Sequence, residues 1–408
     1  MDSRRAAELA ARNSYGRLIA YLAVRSQDIS AAEDALGDAF LKALKTWPEK
    51  GVPNNPEAWL LVTARRHLID VARRSQTRTK LLNTLNLSGV EAPDSPEEIS
   101  FPDERLKLLF ICAHPAINVA IRTPLMLQTV MGLNAAQIGS AFLVAPTTMG
   151  QRLVRAKNKI RDAGIPFRLP DPHELPERLE AVLEAIYAAY TTGWDMVTGS
   201  DPRHKGLADE ALWLAQLCVQ LMPEEPEARG LLALMLYCAS RREARRSSEG
   251  NYVPLSEQDT TLWSQGMIGQ AERELHQAST YGKLGRFQLE AAIQSVHAQR
   301  AVTQTTDWKM LAQLYTGLIQ ISPTVGAKIG HAVAISETQG ATQSLELLDT
   351  ILTKKIQNYQ PYWALRAHLL NQLGNRSAAQ QAYAQAIGLT EDSAIRAFLM
   401  GKANKNTM

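Results

Sequence analysis

Asn134–Asp162 reads NAAQIGSAFLVAPTTMGQRLVRAKNKIRD, and its pattern is that of two helices joined by a tight corner. Asn134 can cap a first helix that presents Ile138, Ala141 and Phe142 on one side. Leu143-Val144-Ala145 makes the break. Pro146 presets φ for a second helix start, and Thr147 or Thr148 offers a capping hydroxyl. Beyond the corner Met149, Leu153, Ala156 and Ile160 recur at helical spacing and are expected in a core. Arg152, Arg155 and Lys159 fall on another face, flanked by Lys157 and Arg161. A helix that is apolar on one side and cationic on the other suits the major groove of DNA. A merely solvated basic face is the plainer alternative, and the corner lacks the glycine often found in helix-turn-helix motifs.

The surroundings of this stretch are helical as well. The chain has 408 residues, 45% hydrophobic and 21% charged, an ordinary globular composition with room for several cores. Ala, Leu, Gln and Arg abound and runs rich in Val, Ile and aromatics are scarce, so an all-α protein is expected. The net charge of +3 hides an asymmetry. Residues 1–168 hold 23 Lys and Arg against 16 Asp and Glu, a surplus of +7, and the remainder is at −4. Only the amino-terminal part is then expected to face nucleic acid. Cys112, Cys218 and Cys238 form no disulfide framework and suit a reducing compartment. Cys112-Ala113-His114 lacks a second pair at ligand spacing, so no metal is expected. With no apolar run of membrane length and no signal-peptide core, a cytoplasmic protein without membrane partners is expected.

In chain order, residues 8–25 form an amphipathic helix with Leu9, Leu18, Ile19, Leu22 and Val24. Ser30 can cap the next, AAEDALGDAFLKALKTW, in which Leu36, Phe40, Leu44 and Trp47 make a core stripe and Glu33, Asp34 and Asp38 project elsewhere. Those acids suit solubility or a docking face. PEKGVPNN, 48–55, reads as a loop. A helix from about Glu57 to Arg74 then buries Leu61, Ala64, Leu68 and Val71 and crowds Arg65, Arg66, Arg73 and Arg74 elsewhere, with Asp70 spaced to pair with Arg66 and Arg74. Trp59 suits core filling or base stacking. Residues 76–100 lose periodicity and read as a linker. Phe101–Ala113 is one helix, and Pro124 starts another that ends at Gly132.

From Leu169 the chain becomes a series of helices: LPERLEAVLEAIYAAY, ADEALWLAQLCVQLM and EARGLLALMLYCAS. Arg241, Arg242, Arg245 and Arg246 suit a solvated helix end better than a nucleic-acid contact. Gly340 and Gly374 stand 34 residues apart. Aligned on them, Val333 matches Ala367, Ile335 Leu369, Leu345 Ala379, Leu348 Ala382 and Leu352 Ala386. That period belongs to tetratricopeptide repeats. Trp363, Ala367, Leu370, Gly374, Ala379, Tyr383 and Ala386 stand at the pattern positions of the second copy, and Trp308, Leu311 and Tyr315 mark a preceding helix. Such arrays bind peptides or protein segments. No glycine-rich phosphate loop, GxSxG elbow or HExxH occurs, so no enzyme and no cofactor is expected.

Two small helical domains joined by a polar linker, with a helix-turn-helix in the second, resemble extracytoplasmic-function sigma factors of bacterial RNA polymerase. Ala32-Glu33-Asp34-Ala35 through Phe40-Leu41-Lys42-Ala43 is similar to the segment that docks on the polymerase β′ clamp helices. Asn55-Pro56-Glu57-Ala58-Trp59-Leu60 through Thr63-Ala64-Arg65-Arg66, then Asp70 and Arg73-Arg74, is similar to the segment that opens and reads the −10 element. Asn134–Asp162 resembles the reader of the −35 element. Gly37 stands where the docking motif usually has glutamine, and Asp38 where glutamate is common. ICAHPA at 111–116, 142–170 and 174–187 are similar to a subgroup with a fused carboxy-terminal tetratricopeptide domain.

The resemblance implies sigma region 2 over 1–75, a linker over 76–100, sigma region 4 over 101–168 and a repeat domain over 169–408, clearest at 307–390. It implies polymerase docking by Glu33, Asp34, Asp38 and Phe40, and −10 contacts by Trp59, Arg65, Arg66, Arg73 and Arg74. It implies −35 contacts by Thr147, Thr148, Gly150, Gln151, Arg152, Val154, Arg155 and Lys159. Of these, Gln151 suits adenine, Val154 a thymine methyl, and the arginines the phosphates. The implied partners are core RNA polymerase, through its β′ clamp helices and β subunit, and promoter DNA. A protein segment or an intramolecular contact is implied at the repeat domain. A helix-turn-helix regulator with a tetratricopeptide sensor is the alternative.

Overall fold

The computed structural model describes residues 3–74, 102–142, 144–171, 173–194, 207–351 and 354–404, and its regular elements are helices apart from one isolated antiparallel bridge, Arg246 to Tyr252. The all-α expectation holds. The linker expected at 76–100 lies outside the described residues. Contacts divide the chain into two units, one reaching as far as Leu217 and one from Cys218 onward.

The first unit opens with α1 (Ser3–Ser26), α2 (Ile29–Lys50) and α3 (Pro56–Arg74), which pack on one another. Gln27 turns the corner with φ 56°, and Asp28, not Ser30, caps α2 by accepting from the Ala31 N–H at 3.1 Å. The Asp28 carboxylate stands at the residue just before the helix, where an oxygen reaches the unsatisfied N–H groups of the first turn. α2 runs through Pro48 instead of ending there. Pro48 removes only one hydrogen bond from the last turn, and Gly51, at φ 84°, closes the helix by donating to the Trp47 carbonyl. Asn55 caps α3 through the Ala58 N–H at 3.0 Å.

The buried face of α3 is Ala58, Leu60, Leu61, Ala64 and Ala72, while Val71 is exposed. At 3.6 residues per turn Ala72 lies only about 20° from the direction of Leu61 and Val71 about 80° away, so the expected stripe drifts off the core face. In α2 the expected stripe also fails in part. Leu36 and Trp47 are buried, Phe40 is half-buried, and Leu44 is exposed. Alanines 32, 35, 39 and 43 occupy the inner face.

Region 102–194 contributes α4 (Arg105–Cys112), α5 (Val119–Thr129), α6 (Ala135–Ala141), α7 (Pro146–Asp162) and α8 (Leu175–Trp194). Pro124 lies inside α5 rather than starting it. Asn118 caps that helix by accepting from Ala120 N–H at 2.9 Å. α8 packs on α4 and α5. The opening part of α9 (Leu207–Leu221) joins them, with Arg105 stacked 4.0 Å over the Trp213 ring. The division between units therefore does not coincide with 168/169.

In the second unit α10 (Pro226–Ser240) packs against α11 (Gln265–Thr280) and α12 (Arg286–Ala298). The Glu227 carboxylate caps α12 from a neighbouring helix, accepting from the N–H groups of Phe287 at 2.9 Å and Gln288 at 3.2 Å. Arg241 donates to Gln294 at 2.8 Å and Arg246 pairs with Asp392. After α13 (Arg300–Thr303), helices α14 (Trp308–Ile321), α15 (Val325–Gln339), α16 (Ala341–Asp349), α17 (Gln360–Gln372), α18 (Arg376–Gly388) and α19 (Ser393–Asn404) each pack on the next. Gly340 at φ 97° and Gly374 at φ 78° make equivalent corners between α15 and α16 and between α17 and α18, in backbone regions that glycine favours. Ala367, Ala379, Ala382 and Ala386 are buried where α17 and α18 meet.

Candidate nucleic-acid interface

The α6–α7 corner is built by short-range bonds. Asn134 accepts from the Ala136 and Gln137 N–H groups, both at 3.0 Å, and the Gln137 side chain accepts from Asn134 N–H at 2.8 Å. This reciprocal arrangement satisfies three backbone donors at once. Ile138 is fully buried, and the Val144 N–H donates to the Gly139 carbonyl at 2.8 Å. The glycine that the corner lacks stands earlier, in α6. A Cβ on Gly139 would lie 2.5 Å from the Val144 oxygen, so the chain can fold back only over a hydrogen atom. Sequence reasoning misses that residue; its signal is a glycine inside an otherwise regular short helix.

Pro146 is the first residue of α7 and Ala145 its cap, with no side-chain hydrogen bond. Thr147 and Thr148 do not cap the helix, contrary to expectation. Proline already removes one of the N–H groups that a cap would satisfy, and both threonines are exposed. Met149, Leu153, Ala156 and Ile160 are all buried. Gln151, Arg152, Val154, Arg155 and Lys159 are exposed, and Gly150 is half-buried. Among the described residues Arg152, Arg155 and Lys159 form no ion pair, so their charge is presented to solvent.

Lys157 departs from this pattern. Instead of flanking the cationic face it is 8% exposed, with Nζ 2.5 Å from Glu33 Oε2 on α2. Lys157 stands about 40° from Leu153 around the helix, on the packed side. Glu33, expected as a docking acid, is thus engaged internally. Burial raises its pKa above the usual carboxylate value, and the Lys157 charge and hydrogen bond oppose that rise. Arg161 stands 3.9 Å from Asp28 and 3.0 Å from Asp162. The Phe167 N–H donates to Gln27 Oε1 at 3.4 Å. A Cβ on Gly16 of α1 would collide with the Val130 carbonyl oxygen beyond α5.

On the far side of α2, Asp34 and Asp38 are exposed, and Asp38 meets His67 Nδ1 of α3 at 3.0 Å. Leu41 and Leu44 are 58% and 45% exposed on the same helix. Phe40, beside them, is half-buried. The loop that follows brings Trp59 edge-on to buried Trp47, with ring centroids 5.5 Å apart. Trp59 keeps partial exposure, as do Arg65 and, more fully, Arg66. Arg73 and Arg74 close α3, and their side chains lie outside the described residues. Arg66 forms no ion pair with Asp70 among the described residues. Cys112, part of the CAH sequence, is buried against the Thr129 hydroxyl at 3.5 Å, and burial pushes its thiol up to about 12. His114 Nδ1 accepts from the Ala116 N–H. No described helix is long and apolar enough to cross a membrane.

Residues 12–79 match the sigma-70 region 2 family, and residues 178–279 match a family of unknown function, DUF6596. An uncharacterized protein of Rhizobium meliloti is 36% identical over 389 residues, covering 94% of this chain and 91% of the other. No solved structure matches the chain.

Proposed function

The chain belongs to the same family as the Rhizobium meliloti protein and carries a sigma-70 region 2 at its amino end; from that premise we propose that it is an alternative sigma factor of the extracytoplasmic-function type, controlled by a carboxy-terminal tetratricopeptide-like array. Region 2 gives it a sigma-factor-like role in promoter recognition by RNA polymerase. The observation that carries the finer reading is the second head, α6–α7, with its buried apolar face and exposed Gln151, Arg152, Val154, Arg155 and Lys159.

The division of labour follows from chemistry. Asp34, Asp38, Phe40 and the exposed leucines of α2 meet the polymerase clamp helices. Arg152, Arg155 and Lys159 hold phosphates of the −35 element, and Gln151, Val154 and the threonines face base edges. Trp59 receives an unstacked base of the −10 element, and Arg65, Arg66, Arg73 and Arg74 hold its backbone. Each phosphate contact releases counterions, so binding weakens steeply with salt. The array supplies a surface for a protein segment or for an intramolecular contact.

Transcription in vitro with core polymerase tests the reading. The expected result is initiation at a defined set of promoters only when the chain is added, and loss of core co-purification with Asp34→Arg. No promoter-specific initiation would overturn it. A chain ending at Leu221 keeps α8 on α5 and tests control by the array: activity equal to that of the full chain would reject it.

A further inference from the structure

We propose that the loop 246–258 is a built-in ligand of the helical array, and that the surface it covers, made by Arg300, Phe398 and Lys402, is a docking site for an extended segment of a partner protein that carries an aromatic ring and, five residues on, a carboxylate. The inference deepens the array's part in the proposed function and rests on that reading for the existence of a partner, whereas the contact itself rests on geometry.

The loop leaves the end of α10 and meets α19, 146 positions further along the chain at the first contact. Arg246 pairs with Asp392 at the start of that helix. The Tyr252 ring stands edge-on to the Phe398 ring, with centroids 5.4 Å apart, and Glu257 Oε1 lies 3.6 Å from Lys402 Nζ. Loop order and helix order agree, so the loop runs along α19 instead of touching it at one point. Asp392 already caps α19 through the N–H groups of Ala394 at 2.8 Å and Ile395 at 3.1 Å, a duty it has with or without Arg246. Lys402 Nζ lies 5.2 Å over the Phe398 ring, so ring and cation are offered together, a match for an aromatic side chain followed by an acid. On the other side Arg300 of α13 donates to the carbonyls of Leu255 at 2.8 Å, Gln258 at 3.0 Å and Ser256. A grip on main-chain carbonyls holds any extended segment, and the ring and the cation then choose among side chains.

The loop is held as a ligand is held, not as part of a core. None of the apolar side chains from 247 to 257 is buried, and Tyr252, Val253, Pro254 and Leu255 are half-buried. Glu257 and Lys402 keep 57% and 45% exposure, and an exposed ion pair adds little to stability. A segment with so few buried apolar contacts opens at a much lower free energy than the fold that carries it. Its base is closed independently. The Ser264 N–H donates to the Ser240 carbonyl at 2.9 Å, and Trp263 is buried beside it. The loop can therefore lift away from α19 without unravelling α10 or α11. Tethering keeps it at an effective concentration of about millimolar. A partner segment docks by displacing it, and the loop lowers the partner's apparent affinity by the fraction of chains left open.

The test uses the full chain and a fluorescent peptide of the loop's own sequence, RSSEGNYVPLSEQ, in anisotropy titrations. Arg246→Ala with Tyr252→Ala loosens the loop in place. That variant is expected to bind the peptide about tenfold or more tightly than the wild type, as an open fraction of about a tenth or less becomes the majority. Glu257→Lys, at an exposed position, sets two cations against each other and is expected to shift the affinity the same way by less. It covers the case in which the double variant does not fold. Phe398→Ala on either background is expected to abolish the gain, and a peptide carrying Tyr252→Ala with Glu257→Ala is expected not to bind. Equal affinity, or no binding, in the wild type and every loosened variant that folds overturns the proposal. So does a gain that Phe398→Ala leaves intact or that the altered peptide shares. No polymerase enters these titrations, so their failure leaves the sigma reading to transcription in vitro, and a failure of promoter-specific initiation leaves the docking surface standing.

Discussion

Helices α2 and α7 are of similar amphipathic design on paper and are used in opposite ways. α7 buries its large apolar residues, Met149, Leu153 and Ile160, and exposes its cations. α2 buries Ile29, Leu36 and Trp47 together with four alanines, Ala32, Ala35, Ala39 and Ala43, and leaves Leu41 and Leu44 in solvent beside Asp34 and Asp38. Under the proposed function the difference separates two kinds of partner. A helix that reads a polyanion needs a firm apolar anchor behind an exposed set of charges. A helix that docks on another protein keeps apolar surface in reserve, and the alanines of the inner face let it approach α1 and α3 closely without spending Leu41 and Leu44.

The sharpest way to break the comparison is to truncate the anchor. Leu153→Ala should destabilise the first unit by about 2–5 kcal/mol, the cost of emptying a buried leucine site, seen as an earlier urea transition. The same size of change on the exposed face of α2 should do the opposite. Leu41→Asp should leave stability within about 0.5 kcal/mol, yet weaken core polymerase binding at least about tenfold, a loss of about 1.4 kcal/mol in a binding titration. If Leu41→Asp unfolds the chain instead, α2 is an ordinary core helix. Next, Arg152→Ala with Arg155→Ala should lower the slope of log affinity against log salt by about two and leave the urea midpoint in place. The smallest effect belongs to Gly37, which is exposed on α2 and where an added Cβ would meet nothing within 4 Å. Gly37→Ala should stabilise the helix by up to about 1 kcal/mol, and Gly37→Gln should add a docking side chain at no cost in fold.

What can be read in advance follows the same divide. The core face of α7 is legible because large side chains recur at 3.6-residue spacing there, and the Asn134 cap because its bonds reach only two or three residues. Gly340 and Gly374 are legible as paired corners, since a left-handed backbone names its residue. The inner face of α2 is not, because ranking by hydrophobicity places Leu44 and Phe40 inside and ignores how near two helices can come over alanine. Pro48 and Pro124 look like boundaries in the sequence, yet each costs its helix one hydrogen bond that the turn tolerates. Periodicity alone makes Lys157 a surface charge. Its partner is on another helix far along the chain, and no local pattern reports a long-range ion pair. Gly139 and Gly16 belong to the same class: their importance is a matter of what lies across from them.

Gly16 carries that point into heredity. A glycine codon becomes an alanine codon by a single base change, and here the added methyl group would have two opposed effects. It would favour the helical form of α1 by up to about 1 kcal/mol, and it would push against the Val130 oxygen that α1 now rests on. The seat of α1 on Val130 is therefore one nucleotide away from disturbance, at a position outside the set of side chains proposed to read promoter or to meet polymerase.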